Sequence, residues 1–247
     1  MAVRFLAVGE LLVDVFAAGA GHGARIRVRA AGSAFNAAVA AAAAGAQSTV
    51  VGTVGDDAAG RMLLGELAAA EVDAEVTVAA GPTGTFLLAD GEIRVDRGVG
   101  HELVLPRHLV ADAVLVSGYV PAAGEALARA DGAWVALDAA RLDELPLGGN
   151  AVFANEESAR RLTGLKPERA VQALSGQRRL ACVTLGARGA IAVLDGSVER
   201  AVPPTSATDA PGSGDAFAAT MLVALAQGDD LAAALARATR AAVDSLA

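Results

Sequence analysis

Asp209-Ala210-Pro211-Gly212-Ser213-Gly214-Asp215-Ala216-Phe217 follows a polar, proline-containing loop and opens an alanine-rich apolar run that predicts a helix to Gln227. Two glycines separated by one small residue let the backbone turn tightly and leave N–H groups uncovered at the helix start. With the positive end of the helix dipole, those donors make a seat for an anion, above all a phosphate. Asp215 falls in the first turn, beside that seat. A carboxylate is oddly placed there if the only task is to hold phosphate. It fits a site where a substrate hydroxyl loses its proton as a phosphoryl group arrives. The plain alternative is a capped helix, with Asp209 or Ser213 as the cap and Gly and Pro as loop punctuation.

Composition narrows the partners. The 247 residues carry a formal net charge of −8, which argues against a nucleic-acid partner, because neutralising a phosphate backbone needs a basic face. Aromatics make up only 3%, too few for stacking platforms, whereas the hydrophobic fraction of 54% is ample for a core. The single cysteine, Cys182, excludes an internal disulfide and a cysteine-based zinc site, and its apolar neighbours mark it as a buried small hydrophobe. His22, His101 and His108 have no metal-binding spacing. The N-terminus is apolar only to Val8 before Glu10 and Asp14 intervene, which is neither a signal peptide nor a membrane span, so a cytoplasmic location is expected.

Outward from the glycine-rich turn, the chain alternates strands and helices. Residues 3–8 form a continuous apolar run ending at Gly9, which predicts a central parallel strand buried on both faces. Residues 11–16 continue extended and carry Asp14. That carboxylate reads either as a turn acid facing water or as a ligand group at the carboxyl end of the first strand, where open α/β sheets bind ligands. Residues 25–29 alternate strictly, the mark of a strand with one face in water. With residues 74–78, 83–89 and 93–96, the last two joined by Asp90-Gly91, they predict a small antiparallel sheet inserted into the body. Gly32-Ser33-Ala34-Phe35-Asn36 opens a helix that Gly45 stops, with Asn36 one turn from Gly32. Asp56 or Asp57 is the expected N-cap of the next helix. Strands at 113–117, 133–138, 152–154, 180–185, 190–194 and 197–202 complete the alternation, and Asp229 or Asp230 caps a last helix.

These motifs together resemble the ribokinase-like (PfkB family) carbohydrate kinases. The C-terminal signature of that family, D-T-x-G-A-G-D-[AS]-F, aligns with residues 209–217. Its N-terminal G-G-x-x-x-N aligns with Ala31-Gly32-Ser33-Ala34-Phe35-Asn36, and residues 52–60 match the x-G-x-x-G-x-D-x-x-G that follows. Gly9 to Asp14, Asp96-Arg97-Gly98 and residues 183–189 also match. The resemblance implies a single ribokinase-like α/β domain over residues 1–247, a three-layer α/β/α sandwich with a mostly parallel sheet. It also implies a β lid, here residues 16–30 and 73–98. The implied activity is ATP-dependent phosphorylation of a hydroxyl on a small sugar of the ribose, fructose or keto-deoxy-sugar class.

Carried over, the resemblance makes Asp215 the catalytic base and the N–H groups of Gly212, Ser213 and Gly214 the anion hole. Asp14, Gly32 and Asn36 would bind the sugar. Arg97 either contacts substrate or is a plain surface arginine. Thr184, Gly186 and Gly189 would line the nucleotide, and Asn155 would help hold magnesium-bound water, with no direct protein ligand to Mg2+. A monovalent cation is expected near Asp209, and a homodimer through the lid. Four departures stand out. Ala31 replaces the first glycine of its pair, and Ala210-Pro211 follow Asp209. Ser158 replaces the glutamate of N-x-x-E, and Glu157, about 100° away around a helix, does not simply substitute. The chain ends at Ala247, where family members often continue with segments that form the adenine pocket. The alternatives are a nucleoside kinase of the same fold, disfavoured by the small, Arg-rich residues 16–29, and a non-catalytic sugar-binding relative.

Overall fold

The computed structural model describes residues 2–18, 22–23, 25–139, 141–176, 178–203 and 211–244. The chain opens with β1 (Arg4–Val8), β2 (Leu12–Ala18), β3 (Arg25–Ala31), α1 (Ser33–Ala43), β4 (Gln47–Gly55) and α2 (Ala58–Ala69). Then come β5 (Asp73–Ala79), β6 (Thr83–Ala89), β7 (Glu92–Gly98), β8 (Leu109–Val110), β9 (Ala113–Ser117), α3 (Ala123–Arg129) and β10 (Ala130–Asp131). The last part holds β11 (Trp134–Asp138), β12 (Ala151–Asn155), α4 (Glu156–Thr163), α5 (Pro167–Ser175), β13 (Leu180–Thr184), β14 (Ala190–Leu194), β15 (Ser197–Ala201), α6 (Ser213–Ala226) and α7 (Leu231–Asp244).

Nine strands form one sheet in the order β15-β14-β13-β12-β11-β9-β1-β4-β5, parallel from β13 to β5, with β14 and β15 antiparallel at one edge. The apolar run of β1 explains its central place. Phe5 and Ala7 face the core shared with α1, α2, α6 and α7, while Leu6 and Val8 face the core shared with α3. The opposite layer is completed by α4 and α5 over β12 to β14. From β1 the order runs first to β4 and β5, then returns to the other side at β9. That reversal opens a crevice at the carboxyl ends of the strands, where such sheets hold ligands.

Helix α6 is buried from Ala216 to Leu225 and packs between α1 and α7. A helix apolar all round belongs inside, and its alanines let the neighbours approach closely. Its N-terminal end is therefore held firmly at the crevice. Helix α2 is capped by Asp57, which accepts from the Gly60 N–H (2.7 Å), the Thr83 N–H (2.8 Å) and the Thr83 hydroxyl (2.7 Å). One carboxylate thus caps a body helix and anchors the start of β6. Asp230 caps α7 through the Ala233 N–H at 2.8 Å.

The small sheet differs from its expected form. Its order is β3-β2-β6-β7, with β2 and β6 parallel and the outer pairs antiparallel. Residues 74–78 are not part of it: β5 pairs with β4 at the edge of the main sheet. An edge strand of the body has a half-exposed pattern, which in sequence looks like a lid strand. Conversely, Leu12, Val13 and Asp14 are buried where β2 leaves the body, so β2 reads as a body strand in sequence although it belongs to the small sheet. The Asp90-Gly91 turn falls where expected, with φ of 49° and 81°. Ala31 ends β3 and is not among the residues with positive φ, so its Cβ is accommodated. Cys182 is free and buried in β13.

Candidate active site

Two helix N-termini meet at the crevice. Gly212 caps α6 with φ 96° and no side-chain cap bond, so Ser213 does not cap; Asp209 lies outside the described residues. The Ala216 N–H bonds the Gly212 carbonyl at 3.1 Å, so the N–H groups of Ser213, Gly214 and Asp215 precede that rung of the helical ladder. A Cβ on Gly212 would come within 2.8 Å of Asn36 Nδ2, whereas one on Gly214 would meet nothing within 4 Å. Gly212 is thus required by the protein's own packing, and Gly214 faces open space. Helix α1 begins at Gly32, φ 110°, where a Cβ would lie 2.4 Å from the Glu10 carbonyl oxygen.

Asn36, one turn into α1, donates from Nδ2 to Asp215 Oδ2 at 2.9 Å. The Asp215 carboxyl titrates well above the usual carboxylate range. Burial is the main cause and the charges of Asp138 and Asp14 add to it, while the Asn36 hydrogen bond works the other way. The Asp215 side chain still lines a cleft of about 620 Å³ together with Gly212, Ser213 and Gly214. An acid poised this way can take a proton from a hydroxyl while the adjacent donors hold an anion.

Asp14 and Arg97 stand on strands of the small sheet, and neither is among the residues that line this cleft. Asp14 is only 4% exposed, and both Arg29 bonds, from Nε at 2.9 Å and Nη2 at 2.7 Å, go to its Oδ2. Arg29 Nη2 also bonds the Pro211 carbonyl at 3.2 Å, which ties β3 to the turn before α6. Arg97 is no plain surface arginine. It pairs with the buried Glu10 and stands 5.4 Å over the Tyr119 ring, and burial lowers its pKa. Tyr119, two residues after β9, has its phenol pushed up by burial and by the charges of Asp138 and Asp215.

The far end of the cleft is built by β12, β13 and α4. Thr184, Gly186 and Asn155 line it. Gly189 does not: it is buried behind the turn, where a Cβ would lie 1.9 Å from the Ala201 carbonyl oxygen, so its role is to close that turn. Asn155 is the N-cap of α4, accepting from the Ser158 N–H at 2.8 Å. Glu156 pairs with Arg188 of the turn after β13. Five polar lining residues have no site role in the sequence reading: Tyr119, Asp138, Glu156, Glu157 and Arg160. Only Asp138 carried a signal, as an acid ending a strand. Among the described residues no group of three or more His, Cys, Asp or Glu could hold a metal ion. Asn155 and the carboxylates around it suit a hydrated divalent ion that takes its direct ligands from phosphates and water.

A sequence profile of the pfkB family carbohydrate kinases matches residues 4–104 and 132–245. Among curated proteins there is no match. Several solved structures are similar. Ribokinase of Arabidopsis thaliana, complexed with ribose and ATP, superposes with a TM-score of 0.82 at 22% identity, over 98% of this chain and 92% of its own. A fructokinase double mutant of Vibrio cholerae, with fructose, ADP and potassium ion bound, gives 0.77 at 23% identity, over 97% of this chain and 89% of its own. Adenosine kinase of Sinorhizobium meliloti gives 0.78 at 19%, over 98% and 93%. At these identities the likeness shows the fold.

Proposed function

The chain belongs to the pfkB family of carbohydrate kinases, and from that membership we propose that it transfers the γ-phosphoryl group of ATP to a hydroxyl of a small sugar. The observation that carries this reading is the pairing at the start of α6: an acid with a raised pKa beside glycine-flanked backbone donors, in one cleft with Thr184 and Gly186. The sugar oxygen attacks the γ-phosphorus in line as the bond to the ADP oxygen breaks. Asp215 takes the hydroxyl proton. The N–H groups of Ser213 and Gly214 receive the charge of the migrating group.

Asn36 holds Asp215 in place, and Asp14 Oδ1, left open by Arg29, accepts from a sugar hydroxyl. The lid excludes water, which would otherwise compete as acceptor. Thr184 and Gly186 line the nucleotide phosphates. Magnesium, bound with the nucleotide, neutralises phosphate charge, and Asn155 would hold part of its water shell. The ribose, fructose, ATP, ADP and potassium ion in the similar structures support a sugar, an adenine nucleotide and a monovalent cation as ligands here. Exposed Ile26, Val28, Ile93 and Val95 on the edge strands of the lid support pairing of two lids in a homodimer. Sedimentation of an Ile26→Lys variant against the parent tests that pairing.

A nucleoside is the second reading. Phe86 is registered beside Asp14, and Phe16 lies two residues further along β2, on the same face, where rings could cover a base. One experiment separates the possibilities: ADP release measured over a panel of sugars and adenosine, with Asp215→Asn as control. Sugar-dependent release abolished by the substitution supports the sugar kinase. Release with adenosine alone supports the second reading, and binding without turnover refutes both.

A further inference from the structure

Helix α4 presents a charged face to the nucleotide end of the cleft. Its cap residue Asn155 and residues Glu156, Glu157 and Arg160 all line the same cavity as Gly212 to Asp215. Ser158 does not line it. Ser158 is 2% exposed, and its hydroxyl accepts from Arg161 Nη2 at 3.3 Å. The angle of about 100° between positions 157 and 158 predicts that an acid at 157 does not simply take the place of one at 158. The fold nevertheless puts it on the cleft, because the first turn of α4 opens onto the crevice and residues 157 and 160 share that side.

The carboxylates at this end can be told apart by what they already hold. Glu156 is committed to Arg188. Asp138 has a further interaction of its own. Glu157 lines the cleft, is exposed, and among the described residues makes no ion pair or side-chain hydrogen bond. A hydrated divalent cation seeks such an oxygen: hard, anionic and free to accept from bound water. We propose that Glu157 is the carboxylate that holds the water shell of the nucleotide's magnesium ion, a position the chain supplies one residue ahead of Ser158. The proposal rests on the kinase reading. The rival role for Glu157 is an acid in the first turn of a helix, which steadies the helix dipole and touches no ligand.

The experiment is calorimetric titration of the full chain with a non-hydrolysable ATP analogue, with and without Mg2+, for the parent and for Glu157→Gln, Ser158→Ala and Glu156→Gln. The expected result is about a tenfold or greater loss of Mg2+-dependent affinity in Glu157→Gln, the size seen when an outer partner of a metal is removed. Its affinity for the metal-free analogue should stay equal or tighten, since one negative charge near the phosphates is gone. Ser158→Ala should match the parent. An unchanged Mg2+ dependence in Glu157→Gln, with at most a small loss of thermal stability, would overturn the proposal in favour of the helix-dipole role. An equal shift in Ser158→Ala would overturn it too. A parent chain that binds no nucleotide at all would refute the kinase reading, and the role of Glu157 with it.

Discussion

Gly214→Ala separates an anion hole from a mere helix start, because stability and activity should move in opposite directions. Gly214 is inside α6, its φ is not positive, and an added Cβ would meet nothing within 4 Å. Alanine in a helix is favoured over glycine by roughly 0.5–1 kcal/mol. For a chain of this size 1 kcal/mol corresponds to about 2–4 °C in Tm, so the variant should melt about 1–4 °C higher. The same methyl would project into the cleft beside the N–H proposed to receive the phosphoryl group. Displacing one such donor costs on the order of 100- to 1000-fold in kcat. The assays are a thermal melt and sugar-dependent ADP release. Gly212→Ala is the contrasting variant: φ 96° and a contact of 2.8 Å to Asn36 Nδ2 predict loss of both stability and activity. A Gly214→Ala protein that melts higher and turns over at the parental rate would refute the assignment.

Three further predictions concern charge. Asp215→Asn should reduce turnover by about 100-fold or more yet raise Tm. The raised pKa means that the folded state keeps a proton the unfolded chain has lost, so stability falls as pH rises from the unfolded carboxylate pKa to the folded one, and the asparagine variant escapes that loss. Melts across pH should show the gap widening over that window. Asn36→Ala removes the hydrogen bond that opposes the rise, so the acid limb of kcat/KM should move to higher pH than in the parent. For Asp57, burial pushes the carboxyl up but hydrogen bonds from Thr83, Gly60 and Ala59 outweigh it, leaving its pKa lowered. Its contribution is therefore present at neutral pH and lost as pH falls through the folded value. Asp57→Ala should cost about 2–4 kcal/mol, from a lost cap and an unpaired Thr83 N–H, checked by denaturant unfolding.

Much of the body was legible in the sequence because its signals are local. The apolar run of β1, the alanine tract of α6 and the glycines at 212 and 214 each fix an element on their own. The lid was harder. Whether residues 73–79 pair with β4 or with a lid strand depends on partners distant in sequence, and both environments leave a strand half-exposed. Helix α5 begins at Pro167 with no side-chain cap bond and was not foreseen. At the site, Asp215 was legible beside the glycine turn and Asn36 through the family resemblance, and the structure joins the two by a hydrogen bond. Tyr119 and the true setting of Arg97 were not, since the Glu10–Arg97–Tyr119 arrangement joins three elements brought together only by the fold. That Glu157 lines the cleft was not legible either, because a helical wheel gives angles between side chains but not which side meets the crevice.

Only residues 9–11 separate β1 from β2, and Asp14 and Arg29 both stand on strands of the small sheet. One continuous piece of chain therefore carries half of the small sheet together with the carboxylate proposed to bind the sugar, while β6 and β7 supply the other half. Exchanging that piece for a homologous one would move the carboxylate with its own strands and leave α6 in place. New substrate preferences in this scaffold should come more readily from grafting residues 12–31 as a block than from editing Asp14 alone.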